Sequence, residues 1–280
     1  MRNRVMYLLD GNSILLSKDW GDGLYKDGRR VSGVISFLQY VSKVLSEYND
    51  IDYGLLIWDS RDKRKISKFS NYKNYENRTF DNEIKEKLEQ ISLVNVFMKN
   101  LGFNIVKVLG VETDNVIGYV VNRLSRDFSF RVLSFDSDLY QLVCFSDSIV
   151  ISKKKVNSDN FKDVTGCSNL EEYLLYKCIV GDMSDNIKGV RGVGPKRFFS
   201  MLDEKGINYL KKEYRDTIDF YYDMVNLKVD ELGSDIIFFE RGSLNVDMVR
   251  TLLFTYGFSS ILKRFYDFVK PFRRLGRRKR

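Results

Sequence analysis

The sequence predicts an α/β protein, with a mainly parallel central sheet flanked by helices and a helical second half. Three observations carry this. Short apolar runs recur with helix-like segments between them, and several of these runs end at an acidic residue. After about residue 167 the strand-like runs give way to helical periodicity.

Val5–Leu9 is the first apolar run and ends in Asp10-Gly, a buried strand followed by a turn. Val34, Phe37, Leu38, Val41 and Leu45 have helical spacing, and Tyr53–Trp58 is a second strand closed by Asp59. A long polar helix is expected over Asp81–Leu101, then a strand over Asn104–Val108 and a helix over Asp114–Ser125. Strands over Phe130–Phe135, ending at Asp136, and over Ser148–Ile151 complete the first half. Such alternation with apolar strands implies a parallel sheet covered on both faces. Sites in open sheets of this kind form beyond the carboxyl ends of the strands, where Asp10, Asp59 and Asp136 are expected. The second half is read as helices Leu170–Val180, Lys196–Leu202, Leu210–Val229 and two more between Val246 and Val269. Pro195 stands at a helix start, where proline is tolerated. The expected division is an α/β domain over 1–166, a helical region over 167–269 and a basic tail over 270–280.

The 280 residues suffice for one large or two small domains. A hydrophobic share of 44% and a charged share of 30% suit a globular chain rather than a disordered one. No run approaches the roughly 20 apolar residues that span a bilayer, and Val5–Leu9 is too short for a signal peptide. No membrane partner is therefore expected, and the protein should work in the cytoplasm where it is made. Cys144, Cys167 and Cys178 have no C-x-x-C spacing and read as reduced thiols. Histidine is absent, which excludes Ser–His–Asp and Cys–His catalysis and His-ligated zinc or iron. Acid–base or metal chemistry falls to carboxylates, Lys or Tyr, and oxygen ligands select Mg²⁺, Mn²⁺ or Ca²⁺. The net charge is +8, and subtracting the seven Lys and Arg of residues 270–280 leaves +1. That tail reads as a nucleic-acid contact or as a solubilising end.

The strongest chemical signal is a set of acids where the chain should turn. Asp10 and Asp59 end strands, and Glu112 and Asp114 begin a helix beside Asn115. Asp136 and Asp138, two apart, would project to one side if extended. Asp182 and Asp185, three apart, would share a face of a helical turn. Singly, each has an ordinary reading; Asp114 and Asp182 could simply cap helices. Converging, they would repel one another and a phosphodiester unless cations were bound. Two Mg²⁺ ions about 4 Å apart can activate a water and stabilise a leaving oxygen.

Two segments look built to hold nucleic acid. Gly189–Lys196 is a glycine-rich hairpin leading into a helix. There Gly192 and Gly194 would let backbone N–H groups approach a phosphate, with Lys196 and Arg197 adding charge. Arg61–Arg78 carries seven basic residues with Phe69, Tyr72 and Tyr75 interleaved, a pattern suited to single-strand phosphates and bases; a mobile polar loop is the plainer reading.

Leu-Leu-Asp10-Gly-Asn, Gly110-Val-Glu112-Thr-Asp114-Asn115, Ser134-Phe-Asp136-Ser-Asp138 and Val180-Gly-Asp182-Met-Ser-Asp185-Asn-Ile resemble the ordered acidic motifs of the 5′-nuclease (flap endonuclease) superfamily. Lys188-Gly-Val-Arg-Gly-Val-Gly194-Pro-Lys196-Arg resembles its helix–hairpin–helix segment, here about 179–203. The similarity runs from about residue 4 to 265 and is most like a free-standing bacteriophage 5′-3′ exonuclease or RNase H. It implies a PIN-like 5′-nuclease domain with an arch or clamp over about 60–90, and a DNA-binding helical half. It implies that Asp10, Asp59, Glu112, Asp114, Asp136 and Asp138 serve a catalytic metal site and that Asp182 and Asp185 serve a second. Two or more Mg²⁺ or Mn²⁺ ions are expected. The family commonly has an acid where this chain has Asn115, which can offer a neutral oxygen but removes one charge. Lys73 would approach the scissile phosphate, with Arg78 the nearest candidate for its basic partner. Gly189, Arg191, Gly192, Gly194, Lys196 and Arg197 would grip duplex.

The implied activity is hydrolysis near 5′ ends of flap, nicked or RNA–DNA hybrid substrates in primer removal. The expected partners are branched or nicked DNA, RNA–DNA hybrid and a replication protein such as a single-strand-binding protein, with the enzyme a monomer. If the chain is phage-encoded, the host cytoplasm is its compartment. The alternatives are a branched-DNA-binding protein that is weak or silent in cleavage, and a PIN-type ribonuclease.

Overall fold

Along the first strand, Val5, Tyr7 and Leu9 face one apolar layer while Met6 and Leu8 face another. A strand buried on both sides needs helices on both sides, and a computed structural model of the chain provides them. It describes residues 4–17, 23–60, 82–183, 185–228, 230–232 and 236–275. The main sheet has seven strands: β1 (Arg4–Asp10), β4 (Tyr53–Trp58), β5 (Asn104–Val108), β6 (Phe128–Leu133), β7 (Ser148–Ile151), β8 (Lys155–Val156) and β9 (Ile237–Glu240). Their order is β8-β7-β6-β1-β4-β5-β9, while the short strands β2 (Tyr25–Lys26) and β3 (Arg29–Arg30) pair apart as a hairpin. The inner pairs β7–β6, β6–β1, β1–β4 and β4–β5 are parallel, and the outer pairs β8–β7 and β5–β9 are antiparallel.

From β1 the chain builds outward through β4 and β5, then returns to the other side of β1 for β6 and β7. The order reverses between β1 and β6, the switch point at which sites of such sheets form.

One face is covered by helices Ser32–Tyr48 and Ile91–Asn100 together with the C-terminal helices from Val246 to Val269 and the turn Lys270–Arg274, where Phe272 is buried. The other carries helix Thr113–Leu124 and the 3-10 helix Ser137–Cys144. Helices Leu170–Val180, Pro195–Lys205, Ile207–Glu213 and Arg215–Val225 share a third apolar cluster of their own. No helix among the described residues is long and apolar enough to cross a membrane.

Several expectations are corrected. The helix expected over Asp81–Leu101 is two, Asn82–Glu89 and Ile91–Asn100, and that over Leu210–Val229 is Ile207–Glu213 and Arg215–Val225. In both places the apolar periodicity runs on through a one-residue break. The second half also contributes a strand: β9 lies antiparallel on β5, with Phe238 58% and Phe239 57% exposed.

Candidate metal centre and nucleic-acid interface

Asp10 is the last residue of β1, and helix Gly11–Ser17 begins directly after it. Its Oδ1 accepts the Ser13 N–H at 3.0 Å and its Oδ2 accepts the Ser134 hydroxyl at 2.8 Å. Ser134 Oγ in turn accepts the Asp136 N–H at 3.1 Å, and Ser13 Oγ accepts the Phe135 N–H at 2.8 Å. These bonds tie the ends of β1 and β6 together at the switch point. Across β1, Asp59 follows β4; its N–H donates to Asn12 Oδ1 at 3.0 Å and its Oδ1 accepts the Thr113 N–H at 3.1 Å. Glu112 is the N-cap of helix Thr113–Leu124 and Asp114 lies in its first turn. Helix N-termini carry partial positive charge, which favours carboxylates there. Asp10, Asp59, Glu112, Asp114 and Asp136 line one cavity of about 420 Å³. Asn115 is buried beside them, its Nδ2 without a hydrogen-bond partner.

Asp136 and Asp138 do not sit on an extended strand as expected. β6 stops at Leu133, and Asp136 caps the 3-10 helix Ser137–Cys144 by accepting the Asp138 N–H at 2.9 Å. The capping turn sends the two acids to different groups. Asp136 lines the cavity with Asp10, whereas Asp138 joins Asp182 and Asp185, with ligand oxygens of all three within 4.8 Å of one another. Among the described residues around them, Asp182 and Asp185 are not helical either. Helix Leu170–Val180 ends at Gly181, and Asp182 and Ile187 exchange N–H···O bonds of 2.8 Å that close a tight loop. The loop still brings Asp182 and Asp185 together.

Burial and mutual repulsion both oppose ionisation here. Burial, helped by Asp59 and Asp114, pushes Asp10 up to about 7 even though Ser13 and Ser134 hydrogen-bond its charged form. Burial and the neighbouring Asp114 likewise push Asp136 up to about 7. Asp138 is raised by burial against the opposing pull of Lys177. Carboxylates held this way favour protons or cations, and an all-oxygen donor set suits a hard divalent ion. Asp138 Oδ1 is buried against the Lys177 ammonium, 2.5 Å away.

The hairpin after Asp185 is glycine-shaped for two reasons. At Gly189, with φ +62°, a Cβ would lie 2.5 Å from the Val180 carbonyl carbon, so backbone packs on backbone. At Gly194 a Cβ would meet nothing, and at Gly192 only the tip of Arg197, so these two leave the N-terminus of helix Pro195–Lys205 open. Arg191, Lys196 and Arg197 are exposed around it, and Arg197 Nη1 donates to Gly192 O at 3.3 Å. Lys73 and Arg78, with the rest of the basic segment from Arg61, lie outside the described residues.

Sequence reasoning missed Ser13, Ser134 and Lys177. Lys177 is 7% exposed, and its Nζ lies 2.5 Å from both Asp138 Oδ1 and Asp182 Oδ2. Burial opposes its charge, but Asp138, then Tyr173 and Asp182, outweigh burial and raise its pKa. A single lysine in the apolar run of helix Leu170–Val180 was a signal that could have found it.

Comparison with known proteins shows the family and the fold. The family profile described as "5′-3′ exonuclease, N-terminal resolvase-like domain" matches residues 5–169. A 5′-3′ exonuclease of Mycoplasma pneumoniae is 26% identical over 244 residues, 79% of this chain and 83% of that protein. One from Aquifex aeolicus is 25% identical over 267 residues, covering 86% and 89%. Among solved structures, a bacteriophage T5 flap endonuclease in a pseudo-enzyme–product complex with DNA and metal ions superposes with a TM-score of 0.65. It is 16% identical, over 96% of this chain and 100% of that one. At that identity the likeness is one of fold.

Proposed function

The chain belongs to the 5′-3′ exonuclease family with the N-terminal resolvase-like domain, and we propose that it hydrolyses phosphodiesters near the 5′ ends of flap, nicked or RNA–DNA hybrid duplexes, removing primers during replication. The observation that carries this reading is the convergence of Asp10, Asp59, Glu112, Asp114 and Asp136 in one cavity, with Asp138, Asp182 and Asp185 grouped beside it. A T5 flap endonuclease of the same fold, solved with DNA and metal ions, supports it.

We assign two or more Mg²⁺ or Mn²⁺ ions to these acids, with Asn115 offering a neutral group beside them. Bound there, the ions would lower the pKa of an attacking water and offset charge on the leaving 3′ oxygen. The protein's own part is positioning. Ser13 and Ser134 fix both oxygens of Asp10, and Asn12 and the Thr113 N–H fix Asp59. Oriented groups of this kind need no rearrangement when the reaction occurs. Lys73, with Arg78, is assigned to the scissile phosphate on the sequence alone. Gly189, Arg191, Gly192, Gly194, Lys196 and Arg197 are assigned to the phosphates of the duplex. Such contacts fix register and carry no base information.

The test is cleavage of a 5′-labelled flap duplex with Mg²⁺ and then with excess EDTA. Short labelled products with Mg²⁺ and none with EDTA are expected, and an RNA-flap version reports the hybrid activity. Tight binding with no cleavage in Mg²⁺ or Mn²⁺ would replace this reading with that of a branch-binding protein.

A further inference from the structure

Lys177 lies inside the acidic cluster. Its Nζ stands 2.5 Å from Asp138 Oδ1 and 2.5 Å from Asp182 Oδ2. These two acids, with Asp185, are the three whose oxygens gather within 4.8 Å. A divalent ion held by the same oxygens would make contacts of about 2.0–2.6 Å. The ammonium therefore occupies the space such an ion needs, and two cations so close repel strongly in a buried site.

We infer that Lys177 is a built-in counter-cation for this half of the site. It holds Asp138 and Asp182 together in the ion-free protein, gives way when a divalent ion enters, and so sets that ion's affinity. The inference rests on the metal reading proposed above.

The surroundings suit an exchange. Nζ is held by Asp182 Oδ2 and Asp138 Oδ1 at the same short distance, and both are charge-assisted contacts that another cation on the same oxygens can replace. Ser137 Oγ lies 3.3 Å from Nζ and the Tyr173 ring centroid 5.6 Å away. Both give the ammonium partners that an incoming ion would not claim. Tyr173 is itself fixed, its hydroxyl donating to Ser137 O at 2.8 Å. The helix around Lys177 buries Leu174, Cys178 and Ile179, so the withdrawal is a short one within the site.

The test is calorimetric titration of Ca²⁺ into the DNA-free, full-length protein, in wild type, Lys177→Met and Lys177→Arg, with thermal unfolding followed in EDTA and in Ca²⁺. Lys177→Met is expected to bind one Ca²⁺ roughly tenfold more tightly or better, and to gain more thermal stability from Ca²⁺ than wild type does. Lys177→Arg, which keeps the charge, is expected to bind no more tightly than wild type. Unchanged or weaker binding by folded Lys177→Met, or equal tightening in Lys177→Arg, would overturn the inference. If neutral variants need Ca²⁺ to fold, that dependence is the expected exchange seen in another readout. If Lys177→Met and Lys177→Gln both fail to fold even in Ca²⁺, an ion does not replace the ammonium and the inference is wrong. Wild type that binds neither Ca²⁺ nor Mn²⁺ would instead remove the metal reading itself.

Discussion

Both oxygens of Asp10 are held before any ion arrives, by the Ser13 N–H and the Ser134 hydroxyl. Ser134 also receives the Asp136 N–H, so one hydroxyl orients two acids. Groups that orient metal-binding side chains typically contribute about 10–100-fold in affinity or activity. Ser134→Ala is accordingly expected to weaken Mn²⁺ binding by about that factor with the fold intact, as read by calorimetry and circular dichroism. The acids themselves were legible in the sequence because the signal is local, an apolar run that ends at a carboxylate. The serines were not, since serine is common in turns and their role depends on β1 and β6 being neighbours. Lys177 was readable only as an anomaly, a charge in an apolar helix, and nothing local told which acids it would meet.

At the scale of elements, the 3-10 helix that carries Asp136 and Asp138 is braced from behind by Gln141. Its Nε2 donates to Asp138 O at 2.9 Å and Val225 O at 3.0 Å, and its Oε1 accepts the Leu227 N–H at 2.8 Å. Gln141→Leu leaves these buried backbone groups unpaired and should cost about 2–3 kcal/mol or more in denaturant unfolding. Nearby, helix Thr113–Leu124 meets the same segment at Gly118, where a Cβ would fall 2.1 Å from Leu227 O, so Gly118→Ala should destabilise as well. The hairpin makes a separate prediction. Replacing Arg191, Lys196 and Arg197 by Ala should weaken flap binding evenly across sequences and flatten the slope of log affinity against log salt by about 3. Most strands were legible because each is a short apolar run with its own boundaries. β9 was not, because its pairing with β5 joins residues more than a hundred positions apart and its apolar residues sit among helices. The breaks near Gln90 and Tyr214 were hidden by periodicity that continues across them.

For the whole molecule, the division of the acids into two groups follows from topology. β6, β1 and β4 are adjacent, which gathers Asp136, Asp10 and Asp59, and the separate helical cluster supplies Asp182 and Asp185 to meet Asp138. This arrangement makes stability depend on pH. Asp10 and Asp136 are raised from 3.8 to about 7 in the folded protein, so the folded state holds more protons than the unfolded one between those values. Their contribution is therefore full below about pH 4, falls as pH rises, and is lost above about pH 7. In EDTA at pH 8, Asp136→Asn should melt higher than wild type, the gap should close toward pH 4, and Ca²⁺ should restore wild type. By the same sign, divalent-ion binding should weaken as pH drops below about 7, because the ion must displace protons. The most direct test of the central claim is the Asp136→Asn/Asp138→Asn double variant, which neutralises one acid in each group. Measured side by side are flap binding in Ca²⁺ and single-turnover flap cleavage in Mg²⁺. Cleavage lower by about 10³-fold or more, with flap affinity kept within a few-fold, is the expected result. Cleavage at the wild-type rate would contradict the account, since the carboxylates gathered at the strand ends would then not be where the phosphodiester is cut.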